Sequence, residues 1–243
     1  MPKFVELWVY LSATPLFGLT ATLVVYVLAQ TAYARLNHAP WANPVLWTVV
    51  MLACGLLATR VSYQTYFAGA QFIHFLLGPA VVALGWPLWQ RRGELAKRWG
   101  RLLVAALAGG VACSVSAVAL GWAFGLPHDV LLSLAPKSVT APVAMGVAEK
   151  IGGIPALSAV FAVITGLVGA LSGKYLFDAL RIPTTQDGWM ARGFALGTAS
   201  HGIGAARALQ VNADAGAYAG LALGMQVVLA SLLMPLAARW FGG

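Results

Sequence analysis

The stretch Ala135–Pro142 reads APKSVTAP and sets a lysine and two hydroxyl residues between two prolines. Each proline removes a backbone donor and frees a carbonyl. Lys137 offers a compact positive charge, and Ser138 and Thr140 offer donors beside it. Further on, ALGTASHGIGAARAL (Ala195–Leu209) gathers Thr198, Ser200, His201 and Arg207 among Gly197, Gly202 and Gly204. A third stretch, LLGPAVVALGWPLW (Leu76–Trp89), holds Gly78, Pro79, Gly85 and Pro87 but no charge. Broken helices present free N–H groups and positive dipole ends, which favour anions. A small carboxylate, needing several donors and one cation, fits this set of residues. The expected helix breaks are Gly78, Pro79, Pro136, Pro142, Gly202 and Gly204.

Each residue also has a plainer role to weigh. Lys137 can snorkel or satisfy carbonyls freed by the prolines. Ser138, Thr140, Thr198 and Ser200 can bond their own helix backbone, as hydroxyls in apolar helices usually do. His201 can serve as an interhelix donor, and Arg207 can sit at a span end facing water. Glu149 and Lys150 can form a solvated pair before the turn at Gly152 and Gly153. Function is argued from the clustering of these residues, because ionisable groups within a membrane are costly. Other chemistries fit poorly. The glycine-rich stretch lacks a preceding strand and a following acid, which argues against nucleotide binding. Four scattered histidines and two separate cysteines argue against a metal site. Ser138 and Lys137 are adjacent and would point to different helix faces, so no nucleophile–base pair indicates an enzyme. GLVGALSG (Gly166–Gly173) reads as a face for close helix packing.

The elements that must position these residues follow from composition. Of 243 residues, 60% are hydrophobic and only 9% are charged, with a mean hydropathy of +0.81. A soluble domain of this length carries more surface charge. Residues 7–34, 36–59, 61–90, 102–128, 151–173 and 215–238 contain no Lys, Arg, Asp or Glu, and each gap exceeds the roughly 20 residues that cross a bilayer as a helix. The expected class is an all-α polytopic membrane protein with spans near 14–35, 44–60, 67–90, 101–125, 129–148, 155–178, 190–210 and 215–239, several of them broken or re-entrant. It forms one transmembrane domain, with 14–60 as scaffold or dimer surface and 67–125 and 129–210 as repeat-related halves. A shift of 57 residues sets Pro79 on Pro136 and Gly109 on Gly166. Paired interrupted segments of this kind point to a transporter's binding site. Cys54 and Cys113 read as small buried thiols. Arg91, Arg92, Lys97, Arg98 and Arg101 crowd a short segment read as a loop, and the positive-inside rule makes it cytoplasmic. The rule explains that charge better than nucleic-acid binding does.

LAPKSVTAPVAMGVAEKIGGIPALSAVFAVITGLVGA, followed by ARGFALGTASHGIGAARAL, closely resembles the LrgB/CidB family, and LLGPAVVALGWPLW resembles its first-half signature. The resemblance implies a multi-pass bacterial inner-membrane protein with a smaller LrgA/CidA-like membrane partner. It implies either a holin/antiholin-like regulator of murein hydrolases and cell lysis or a carboxylate carrier, of glycolate and glycerate by likeness to plant plastid proteins and of pyruvate by likeness to bacterial members. Matching positions are Gly78, Pro79, Pro136, Lys137, Ser138, Thr140, Pro142, Thr198, Ser200, His201, Gly204 and Arg207. Glu149 matches a family acid, whereas Gly146 stands where the family carries another. Residues and resemblance together give a transporter of small monocarboxylates that needs no cofactor. The coupling ion, H+ or Na+, is left open, and a homodimer is expected.

Overall fold

The computed structural model describes residues 16–76, 79, 86, 89 and 92–240. These residues form nine α-helices and one short 3-10 turn. Four of the helices are long and apolar enough to cross a membrane: Leu16–Arg35, Ala96–Ala123, Pro155–Ala179 and Ala213–Arg239. The protein is therefore a multi-pass helical membrane protein. The chain separates into two bodies, Met1–Ala83 and Leu84–Gly243.

In the first body α1 (Leu16–Arg35) packs against α2 (Pro44–Thr59) and α3 (Tyr63–Phe75). Gly18 lets α3 approach closely, since a side chain there would collide with the backbone of Tyr66 and Ala70. Thr22 donates to the Gly18 carbonyl at 2.6 Å and lies 2.7 Å from the Tyr66 hydroxyl. Asn43 starts α2 by accepting from the N–H groups of Val45 and Leu46 at 2.9 and 3.2 Å. Such a cap satisfies donors the first helical turn leaves free.

In the second body three helices are long and apolar enough to cross a membrane. They are α4 (Arg92–Ala123), α7 (Pro155–Ala179) and α9 (Ala213–Trp240). Between α4 and α7 lie two short helices, α5 (His128–Leu134) and α6 (Ala141–Ile151). Together they enter and leave on one side. α5 starts at the far end of α4, where Gly121 faces Leu131 and Leu134. The chain then runs deeper, and Ser114 of α4 donates to the Ala135 carbonyl at 2.8 Å. Turns link Leu134 to Lys137 and Pro136 to Val139. α6 then comes back. Its end returns to α5, where the Ile154 N–H donates to the Ser133 hydroxyl at 2.7 Å. In a straight helix those two residues would stand about 30 Å apart.

The segment Gln186–Val211 (α8) is continuous as a run of helical turns but reverses at Ser200 (φ −127, ψ 17) and His201 (φ 40, ψ −135). The first limb runs antiparallel to α7: Arg192 pairs with Asp178, Leu196 faces Gly173, Ser200 faces Gly169 and His201 faces Gly166. The second limb folds back so far that Gly204 lies against the Leu196 carbonyl. Residues eight apart in an unbroken helix are about 12 Å apart. α9 therefore begins beside the start of α8. Gly193 and Gly197 lie on the backbone of Ala215 and Ala219, which glycine alone permits there.

The order in this body is span, hairpin, span, hairpin, span. Because α7 runs between them, the hairpins 128–151 and 186–211 open toward opposite ends of α7. The expected broken or re-entrant segments 129–148 and 190–210 each double back on themselves. Two expectations change. Of the basic segment 91–101, residues 92–101 are not a loop, since α4 begins at Arg92 and its Leu, Ala, Lys and Arg residues favour helix. Pro142 starts α6 instead of breaking a helix, because the first turn loses nothing from a missing N–H. Gly202 and Gly204 follow the reversal, whose positive φ falls on His201. Gly78, Gly85 and Pro87 lie outside the described residues, and Pro79 is helical and exposed.

Candidate functional site

Each hairpin carries a group of polar residues at or next to its tip. In the first, Lys137 is half-buried and its ammonium donates to the buried Ser138 hydroxyl at 3.4 Å. No carboxylate pairs with Lys137 among the described residues. Thr140 precedes α6, but its hydroxyl does not cap that helix. In the second, Thr198, Ser200 and His201 are buried at the reversal, at 5%, 2% and 4% exposure.

The hydroxyls separate into two groups. Thr31, Thr48, Thr59, Ser133 and Ser172 each donate to the carbonyl four residues earlier, at 2.6 to 2.8 Å. That is the plain backbone role. Thr198 departs from it: its Oγ1 is buried with no hydrogen-bond partner among the described residues. Leaving a buried hydroxyl unpaired costs about 1–3 kcal/mol, so an unpaired one at a helix reversal points to a ligand.

The two tips meet on α7. The His201 Nε2 lies 2.7 Å from the Ala162 carbonyl. Ala162 shares one packed cluster with Val139 and Ala144 of the first hairpin and Ala230 of α9. Ser158, one turn earlier on α7, donates to the Ala144 carbonyl at 3.3 Å. The interhelix-donor reading of His201 therefore holds, at the point where both breaks converge. His201 also adopts a positive φ that non-glycine residues avoid. Such an outlier survives only where its surroundings over-determine it. The glycines of α7 make the room: a Cβ on Gly166 would lie 2.8 Å from the His201 ring.

Arg207 is not at a water-facing end, since it is 7% exposed. It stands six residues past the reversal, about 9 Å along the returning limb. The structure thus groups Thr198, Ser200 and His201 at one tip and Lys137, Ser138 and Thr140 at the other, with Arg207 farther down. Sequence reasoning missed Gln226, which is buried and donates to the Ala106 carbonyl at 2.6 Å. A lone glutamine in an apolar span was its only signal. It also missed Arg192, which is held by Asp178 at 2.9 Å and by the Ile182 carbonyl, with Phe177 and Trp189 against its plane. At the open end of the first hairpin, His128, Glu149, Lys150, Ser231 and Arg239 line an open cavity of about 930 Å3. Glu149 and Lys150 are exposed, as a solvated pair should be.

The sequence profile of the LrgB-like family matches residues 22–240. This chain belongs to the LrgB-like family. Relatives extend over nearly the same length. The Bacillus subtilis (strain 168) protein YxaC is 35% identical over 220 residues, covering 90% of this chain and 94% of its own. The holin-like protein CidB of Staphylococcus epidermidis (strain RP62A) is 31% identical over 214 residues, covering 88% and 91%. The holin-like protein CidB of Staphylococcus aureus (strain Mu50) is 31% identical over 215 residues, with the same shares. No solved structure matches this LrgB-like chain.

Proposed function

We propose that the protein carries small monocarboxylates of the pyruvate, glycolate or glycerate class across the bacterial inner membrane. The observation that supports this reading is the pair of hairpins that open toward opposite ends of α7 and meet at Ala162. Irregular backbone at membrane depth is tolerated where protein buries it or it lines a wet cavity. Two such tips at one depth suit a site reached alternately from either side. Lys137 supplies the cation, the first turn of α6 supplies N–H groups, and Ser138, Thr140 and Ser200 supply hydroxyls. The basic start of α4 faces the cytoplasm, and the cavity at Lys150 and Arg239 opens to the other side.

The names of the CidB relatives speak for the second reading, a holin-like regulator of murein hydrolase activity and lysis. The two readings separate in proteoliposomes. The carrier shows saturable uptake of labelled pyruvate, glycolate or glycerate and no leakage of an entrapped dye. Lys137→Ala leaves a desolvated carboxylate without its cation, a loss of about 2–5 kcal/mol. Lys137→Arg restores only part, because a planar fork replaces a compact ammonium. Absence of saturable uptake, with dye leakage indifferent to Lys137→Ala, refutes the carrier and favours the holin-like reading.

A further inference from the structure

We infer that the tip of the second hairpin binds a monovalent alkali cation, Na+ or an ion of similar size, through neutral oxygens around Thr198. The ordering of helix ends carries the argument. The first limb of α8 ends at Ser200 and His201, and the last carbonyls of a helix have no intrahelical donor. They form the negative end of that limb's dipole, at the depth where Gly109, near the middle of α4, meets Thr198.

An independent observation lies in the same turn. Thr198 is 5% exposed and its hydroxyl oxygen has no partner among the described residues. Its methyl, not its hydroxyl, faces Gly109. Threonine in an apolar helix ordinarily bonds the carbonyl four residues back, so this orientation gives up an available bond. The neighbouring Gly110 admits the amide oxygen of Gln226, which is held by the bond from its Nε2 to the Ala106 carbonyl. Thr198 and the Gln226 amide oxygen thus lie beside the adjacent residues Gly109 and Gly110 of α4, at the level where the first limb ends. All these oxygens are uncharged. A divalent ion calls for carboxylates, and no group of three His, Cys, Asp or Glu converges among the described residues. Uncharged oxygens at a helix C-terminal end suit a single positive charge.

As the coupling ion of a carboxylate carrier, this cation deepens the transport reading and rests on it. Its binding is measurable without any carboxylate. Purified protein in nanodiscs is titrated with radioactive Na+ in choline chloride, and binding is read by scintillation proximity. The wild type binds saturably, and unlabelled NaCl displaces the label. Thr198→Val keeps the methyl and removes the oxygen, which weakens binding by about tenfold or more. Thr198→Ser retains it. Should Thr198→Val lose monodispersity, Thr198→Ala carries the same expectation. No saturable binding to the wild type, or wild-type affinity in both Thr198→Val and Thr198→Ala, overturns the inference. Na+ binding without uptake of any small carboxylate would instead sink the transport reading and leave the ion site standing.

Discussion

The reversal at His201 can be probed from the helix that receives it. A Cβ on Gly169 would overlap the Ser200 hydroxyl and lie 2.6 Å from the Ser200 Cβ. Carbon atoms in contact sit about 3.5–4 Å apart, so Gly169→Ala forces the tip back by about 1 Å. Overpacking of this kind costs about 1–3 kcal/mol. Alanine recovers up to about 1 kcal/mol through its helix propensity. The expected net loss is about 1–2 kcal/mol. Gly146→Ala is the control, because a Cβ at that helical position meets nothing within 4 Å. It keeps the propensity gain alone. For a chain of this size 1 kcal/mol moves the melting temperature by about 2–4 °C. Thermal unfolding of the purified protein should place Gly169→Ala below the wild type and Gly146→Ala at or above it. Ser200→Ala in the Gly169→Ala background removes the overlapping oxygen and should recover part of the loss, a coupling expected only between touching residues. Equal stability of Gly169→Ala and wild type would refute the packing of a reversed tip against α7.

Two other perturbations test the hairpins. With Cys54 and Cys113 replaced, Ser133→Cys with Gly153→Cys should oxidise to a disulfide: a Cβ on Gly153 lies 3.1 Å from the Ser133 Oγ and 2.9 Å from the Ser133 N, so the turn gives by a few tenths of an ångström to admit it. An unbroken crossing helix holds those residues about 30 Å apart and excludes the bridge. A gel-shift assay after oxidation decides between the two. His201→Gly should be at least as stable as His201→Ala, although glycine is worse by about 1 kcal/mol in an ordinary helix. Both lose the bond to the Ala162 carbonyl, but only glycine accepts the positive φ without strain. The opposite order in chemical denaturation refutes the backbone conformation assigned to His201.

Much of this protein was determined by short-range properties. Charge-free gaps placed the spans at 14–35, 155–178 and 215–239 and the shorter apolar helix at 44–60 within a few residues of the helices that form, because desolvating a charge or an open backbone penalises any alternative over the same length. Pro136 and the glycines near His201 marked both breaks, since a missing donor or side chain acts on its own turn. GLVGALSG was readable as a packing face for the same reason, and Gly166, Gly169 and Gly173 do receive α8. The direction of the chain after each break was not legible. A proline or glycine ends a helix but does not say whether the next one continues or returns. That was decided by contacts between distant residues: Ser133 with Ile154, Leu196 with Gly204, and His201 with Ala162. The reversal itself fell on a histidine at φ 40, ψ −135, outside the left-handed helical region that histidine sometimes visits, held there by a carbonyl of another helix. Tertiary packing alone brought the two polar breaks from opposite ends of α7 to one level of it, because the contacts that place them there, His201 with Ala162 and Val139 beside Ala162, join residues far apart in the chain.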